Sequence, residues 1–401
     1  MLVDSRHLVE DVNEKLIYWR RHLHENPELS FEEVETSNFI HSELESFGDL
    51  LITRPTRTSV VARLIGSEPG KVIAIRADMD ALPINEDNDL EFKSKKPGIM
   101  HACGHDAHTA MLLGTVKVLV GLKDSIKGEV RFIFQHAEEL FPGGAQQLVD
   151  AGVMDGVNEI ICGHVRSNMV TGKFGVLSGP VLSSPDSFSI KVIGSGGHAA
   201  KPHQNIDSVI IAAQVITNLQ QIVSRYIDPI DDVVLSVTQV HGGTADNVTP
   251  EFVEIGGTVR SFDKEIRKKI PVEMERIIKG ITEAHRGTYE FEYKNGYRPV
   301  INDVEVTEVV KNTVIDLYGV GALDDIRRGM GGEDFSAYLQ KAPGCFFYIG
   351  AGEADMERNY PHHHPKFQIN EEAMSYGVSV YSNVIQKLLA KSGVGHEVKY
   401  E

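Results

Sequence analysis

Three apolar segments govern what this chain can become: Lys71–Asp78 (KVIAIRAD), Gly128–Gln135 (GEVRFIFQ) and Asn158–Val165 (NEIICGHV). Each is short and carries apolar residues on both faces, as a strand in the middle of a covered sheet must. Helical patterns lie around them. Leu8, Val12, Leu16, Trp19 and Leu23 recur at helical spacing ahead of Pro27, and further helices are predicted over about 105–122 and 144–151. Ser30 to Glu33 reads S-x-x-E, a capping box that would open a second helix running to Gly48. The alternation predicts an α/β fold, its sheet mixed but mostly parallel and flanked by helices.

Each apolar strand leads into a polar segment. The first runs into DMDALP, with Asp78 and Asp80 at its carboxyl end; the second delivers Glu138 and Glu139; the third ends near Gly163 and His164. Sites in open α/β sheets gather at such ends. Between the first two strands lies Met100–His108 (MHACGHDAH), holding His101, Cys103, His105, Asp106 and His108, and His362, His363 and His364 stand in a row near the end. Thiolate, imidazole and carboxylate are the donors that zinc and its first-row neighbours take. Alone, any of these would be an ordinary core or surface group; together, at strand ends and a helix start, they point to a metal centre. A catalytic centre also needs a base. Adjacent glutamates in a strand-end loop point different ways, which suits Glu139 to the metal and Glu138 to proton transfer.

A chain of 401 residues exceeds the size at which one core usually stops growing, so two domains are expected. Near Gly179–Asp186 (GPVLSSPD) the pattern changes to strand Ser187–Ile193, helix Ile206–Ile227, strands Val233–Val240 and Phe252–Ser261, helix Lys264–His285 and strand Tyr289–Tyr293. That order, βαββαβ, is the ferredoxin-like arrangement. After Tyr297-Arg298-Pro299 the α/β style resumes with a helix at Val304–Tyr318, GGEDFSAYL, the strand CFFYIG and a helix from Glu371. The expected division is a catalytic domain in two parts, 1–183 and 296–401, interrupted by a lid or dimerisation domain over 184–295. A net charge of −17 argues against nucleic acid or an anionic membrane as partner. No apolar run approaches the ~18 residues of a membrane span, and the start is not a signal peptide. Cys103, Cys162 and Cys345 make no disulfide framework, so the cytoplasm is the expected location.

RADMDALP, HACGHDAH, QHAEE, GGHAAKPH, DNVTPE, GGEDFSAY and HHPKF, in this order from about Leu16 to Leu389, resemble the dinuclear metallopeptidase family that includes aminoacylases. Within it the chain is similar to the amidohydrolase branch of hippurate hydrolase, N-acetyldiaminopimelate deacetylase and indole-acetyl-amino-acid hydrolase. The wider family has a ligand histidine where this chain has Asp78, and a bridging aspartate at the level of Cys103. The resemblance therefore implies Cys103 as bridging thiolate, with His105, Glu139, His164 and His363 as the other ligands. Two divalent ions per subunit would be held, manganese or zinc, with nickel or cobalt as alternatives. Glu138 becomes the general base, and Asp80 orients a ligand from behind. His362 is expected to lie in a surface turn.

The same resemblance places His198 and Asn247 over the active site, often from a partner subunit, with His198 steadying the carbonyl oxygen as it gains charge. Arg260 would grip the substrate carboxylate, and Gly331 and Gly332 would let backbone approach the substrate. The implied activity is metal-dependent hydrolysis of N-acyl amino acids, acetyl, benzoyl or similar, by a homodimer built through the inserted domain. Two alternatives remain: a dipeptidase or aminopeptidase, which Asp78 disfavours, and a catalytically silent binding or assembly relative, which the full ligand set and Glu138 disfavour.

Overall fold

The strand Glu68–Asp78 is the axis about which the larger sheet is built. A computed structural model describes residues 6–355, 357 and 359–391. They fall into two compact units: 6–181 with Ile301–Arg327 and 334–391, and Leu182–Val300 with Arg328–Glu333. In the first unit eight strands lie in the order Leu50–Thr53, Val60–Ile65, Lys127–Gln135, Glu68–Asp78, Glu159–Val170, Gly344–Gly352, Phe174–Gly175 and Leu323–Asp324. The middle four are parallel, with Ala77 opposite Phe134 and Arg76 opposite Cys162.

The chain leaves Glu68–Asp78, passes through the helix His105–Gly121 and returns on one side as Lys127–Gln135. It then passes through Ala145–Asp150 and returns on the other side as Glu159–Val170. The strand order reverses at the axis, and a reversal of this kind opens a crevice at the carboxyl ends. Ile73, Ile75, Phe132, Phe134 and Ile161 are buried with Met111 and Leu112 in one core. The helix His105–Gly121 is buried on nearly every side and packs against the helices Arg6–Glu25 and Ala373–Ala390.

Two local expectations change here. The helix after Ser30 begins only at Val34, and Glu33 makes no capping hydrogen bond; the serine and glutamate of the supposed capping box are engaged elsewhere. His164 sits inside the strand Glu159–Val170 rather than at its end. Pairing with the axial strand nevertheless stops at Cys162, so His164 lies just beyond it.

The second unit is a four-stranded antiparallel sheet in the order Val233–His241, Phe252–Ser261, Ser184–Ile193, Thr288–Lys294, the ferredoxin-like order. The helices Ser208–Gln221 and Lys264–Ala284 share its core with Ile190, Val192 and Val259. Asp207 and Asp263 accept from the first free N–H groups of these helices, which fixes where each starts. The first helix ends earlier than its pattern suggests, in a π turn at Ile222–Tyr226. Arg328–Glu333 belongs with this unit: Ser183 N donates to Gly331 O at 3.0 Å, and Arg328 pairs with Asp232. Among the described residues no helix is long and apolar enough to cross a membrane.

Candidate metal centre

Cys103 and His105 flank Gly104, which has φ 91 and whose Cβ, if it had one, would lie 2.4 Å from Val165 Cγ2. Only glycine fits both the left-handed turn and that approach, so the two donors are held close to the strand that carries His164. His105 Nδ1 donates to Asp80, 2.9 Å from its backbone oxygen and 3.2 Å from Oδ1. Its Nε2 is buried without a hydrogen-bond partner, 3.7 Å from Asp78 Oδ2 and 3.8 Å from Glu139 Oε1. His164 Nδ1 donates to Val165 O at 2.7 Å, leaving Nε2 3.6 Å from Cys103 Sγ.

Asp78 is spoken for. Its Oδ2 accepts from Arg76 Nη1 at 2.6 Å and its Oδ1 from His108 Nδ1 at 2.5 Å. His108 Nε2 in turn accepts from Val165 N at 2.9 Å. This chain of bonds, Arg76 to Asp78 to His108 to Val165, fixes the backbone beside His164. Sequence reasoning missed this use of His108; its i, i+3 spacing from His105 was visible, but the partner of its second nitrogen was not.

The loop after Gln135 turns at Ala137, φ 48, whose N–H donates to the buried Glu33 Oε1 at 2.8 Å. Glu139 N donates to Asp80 Oδ2 at 3.0 Å. Its Oε1 lies 3.2 Å from His363 Nε2, within ion-pair reach but out of hydrogen-bond alignment. His363, itself at φ 64, donates its N–H to Ala102 O at 2.8 Å, so the histidine turn leans on the Cys103 loop. That turn also corrects the reading of His362. It faces inward, with Nδ1 3.6 Å from Cys103 Sγ and its ring against Phe367 and His164.

Two triads result, Cys103–His105–His164 and Cys103–Glu139–His363, each with its donor atoms within 4.8 Å of one another and both sharing Cys103. His105, Glu138 and Glu139 form a third such group. The electrostatics fit a cation. Burial would lower His105, yet the carboxylates of Asp78, Asp80 and Glu139 outweigh it and raise it to about 10. Burial, then Glu139, Glu138 and Asp78, push the Cys103 thiol well above its ordinary range, so a thiolate here needs strong positive charge beside it. Burial, then His108 and His362, keeps His164 neutral, the ligand form of imidazole. The Nε2 of His105 and the Oε1 of Glu139 are buried without a hydrogen-bond partner, as donors directed at a cation would be.

The other expected site residues lie in the second unit. His198 pairs across two short strands with Val248, and Ala199 N donates to Asn247 O at 3.0 Å, so His198 and Asn247 are neighbours. Arg260 donates to Met330 O at 3.2 Å and to Val259 O at 3.1 Å, and burial lowers its pKa. A Cβ at Gly332 would meet Pro185 at 2.5 Å; the close approach there is to the unit's own chain.

A parallel sheet whose strand ends converge on thiolate, imidazole and carboxylate donors, with a further glutamate beside them, defines a metal-dependent hydrolase. The chain belongs to peptidase family M20/M25/M40, whose model matches residues 74–387. It is 61% identical over 299 residues to an N-acyl-L-amino acid amidohydrolase of Geobacillus stearothermophilus, covering 75% of this chain and 81% of that one. It is 40% identical over 377 residues to thermostable carboxypeptidase 2 of Saccharolobus solfataricus, covering 93% and 95%. A dinuclear-metal-binding peptidase of the M20 family from Bacillus subtilis superposes with a TM-score of 0.83 at 37% identity, covering 95% of this chain and 99% of that one.

Proposed function

We propose that this enzyme hydrolyses the amide bond of N-acyl amino acids, with Cys103, His105, Glu139, His164 and His363 holding two divalent ions, manganese or zinc. The observation that carries the reading is the sharing of Cys103 by two donor triads next to Glu138. Bound there, the ions would supply Lewis acidity toward the amide carbonyl and make water a stronger acid. Asp80 holds His105 by its Nδ1–H, which keeps Nε2 facing the donor cluster. Glu138 takes the proton of the attacking water as the new C–O bond forms. It returns that proton to the nitrogen as the C–N bond breaks, releasing a carboxylic acid and an amino acid. His198 and Asn247 would donate to the carbonyl oxygen as it gains charge, and Arg260, with Gly332 beside it in the second unit, would receive the substrate's carboxylate. The second unit would also serve as the surface on which two copies dimerise, and the enzyme would work in the cytoplasm.

A carboxypeptidase activity is the second reading, favoured by the likeness to thermostable carboxypeptidase 2. Both substrates carry a free carboxylate next to the scissile amide, so the same residues would serve. Glu138→Gln tests the core of the proposal. It should keep its metal and lose about 10²–10⁴-fold in turnover of N-acetyl-L-amino acids. Near-normal turnover by the metal-loaded variant would overturn it, and C-terminally free dipeptides in the same assay decide between the two substrates.

A further inference from the structure

The S-x-x-E of Ser30 and Glu33 caps no helix, and both side chains reach the site from behind. Leu29 bridges Ala81, and Ala81 N donates to Glu28 O at 2.8 Å, so this segment runs along DMDALP. Ser30 Oγ donates to Asp80 Oδ2 at 2.7 Å. Glu33 is wholly buried. Its Oε1 accepts from Phe31 N at 3.0 Å and Ala137 N at 2.8 Å, and its Oε2 accepts from Thr58 Oγ1 at 3.0 Å. Phe31, at φ 69, lays its ring edge-on to His136 at 5.6 Å.

A buried carboxyl is expensive to keep, and burial pushes this one up to about 7. What it secures is Ala137, a residue with a side chain in the left-handed region, which persists only where its surroundings over-determine it. Glu33 fixes the N–H of Ala137, and Gly144 N fixes its oxygen at 2.9 Å. The next residue is Glu138.

We infer that Glu33 is a positioning residue that aims Glu138 by locking the Ala137 turn, while Ser30 steadies Asp80 and through it His105. The inference depends on Glu138 being the base. A carboxyl or a carboxamide can fill the role, since the oxygen of glutamine would accept from Phe31 and Ala137 while its nitrogen donates to Thr58 Oγ1. An alanine has neither.

The test compares Glu33→Ala, Glu33→Gln and Glu33→Asp with the parent enzyme, reading kcat and KM on N-acetyl-L-methionine, metal content and melting temperature. Glu33→Ala should lose about 10–100-fold in kcat per metal-loaded site, as a misplacement near 1 Å does, with KM within about threefold and metal content unchanged. Glu33→Gln should keep at least roughly a third of kcat, a rescue that loss of stability alone would not track. Parental kcat per loaded site in Glu33→Ala, or a Glu33→Gln as slow as Glu33→Ala, overturns the inference. If Glu33→Ala does not fold, Glu33→Asp decides: its shorter arm should lower kcat, and parental kcat overturns the inference. Glu138→Gln in the same assay separates the two claims. If it is active, the base assignment fails; if it is inactive while Glu33→Ala is at parental kcat, only the positioning role fails.

Discussion

Replacing Asp78 by asparagine removes one charge and almost no volume, which isolates its part in the support of His164. Asp78 is fully buried and gives one oxygen to Arg76 and the other to His108. Asparagine offers one acceptor, so its NH2 must face either the guanidinium or the Nδ1–H of His108. The imidazole could exchange tautomers, but Val165 N–H would then lose its acceptor. Whichever way the network settles, one buried donor is stranded, at about 1–3 kcal/mol, and a charge-assisted bond worth roughly 1.5–3 kcal/mol is weakened. Together these come to about 2.5–6 kcal/mol, a range that brackets the roughly 3–5 kcal/mol usual for breaking a buried ion pair. Urea unfolding of metal-free protein measures it, and competition with a fluorescent chelator should show zinc bound about 10–100-fold more weakly, because His164 loses its anchor. A metal-free Asp78→Asn within about 1 kcal/mol of the parent would refute the argument. That result would suit a metal ligand instead, whose charge is a burden to the empty site.

Glu33 gives a pH prediction. Its folded pKa, about 7, stands above the ordinary 4.5. Below 4.5 both states carry the proton; between 4.5 and 7 the unfolded chain releases it first, so stability falls as pH rises through that window. Relative to Glu33→Gln in the same metal state, the parent should lose about 3 kcal/mol between pH 4.5 and pH 7.5, and a pH-independent difference would contradict the assigned burial cost. Cys103→Ser should bind less metal, and thiol reagents should label Cys103 faster in apoprotein than in holoprotein; equal labelling of the two forms would count against a thiolate ligand. Cys162 and Cys345, both buried, should stay unlabelled in either.

Much of this could be read in the residues because it is periodic or terminal. KVIAIRAD, GEVRFIFQ and NEIICGHV become central strands, as short β-branched runs that are apolar on both faces do in a covered sheet. The helices of the second unit start where Asp207 and Asp263 can cap them. The features that escaped are set by partners far along the chain. Ser30 looks like a cap because S-x-x-E is a local signal, whereas Asp80, its partner, is 50 residues away. The three histidines look alike in sequence; the left-handed φ at His363 sends His362 inward, and nothing in HHH announces that turn. Arg328–Glu333 reads as more of the first unit, yet its hydrogen bond to Ser183 and its pair with Asp232 place it with the second.

If the two triads that share Cys103 hold two divalent ions, those ions would supply the acidity that lets Glu138 deprotonate water. Metal-stripped enzyme titrated with manganese or zinc, while the hydrolysis of N-acetyl-L-methionine is followed, tests it most directly. Turnover should be absent without metal and rise to a break at two ions per chain, with Cys103→Ser showing no such break. Turnover at the parental rate by protein proven free of metal would contradict it.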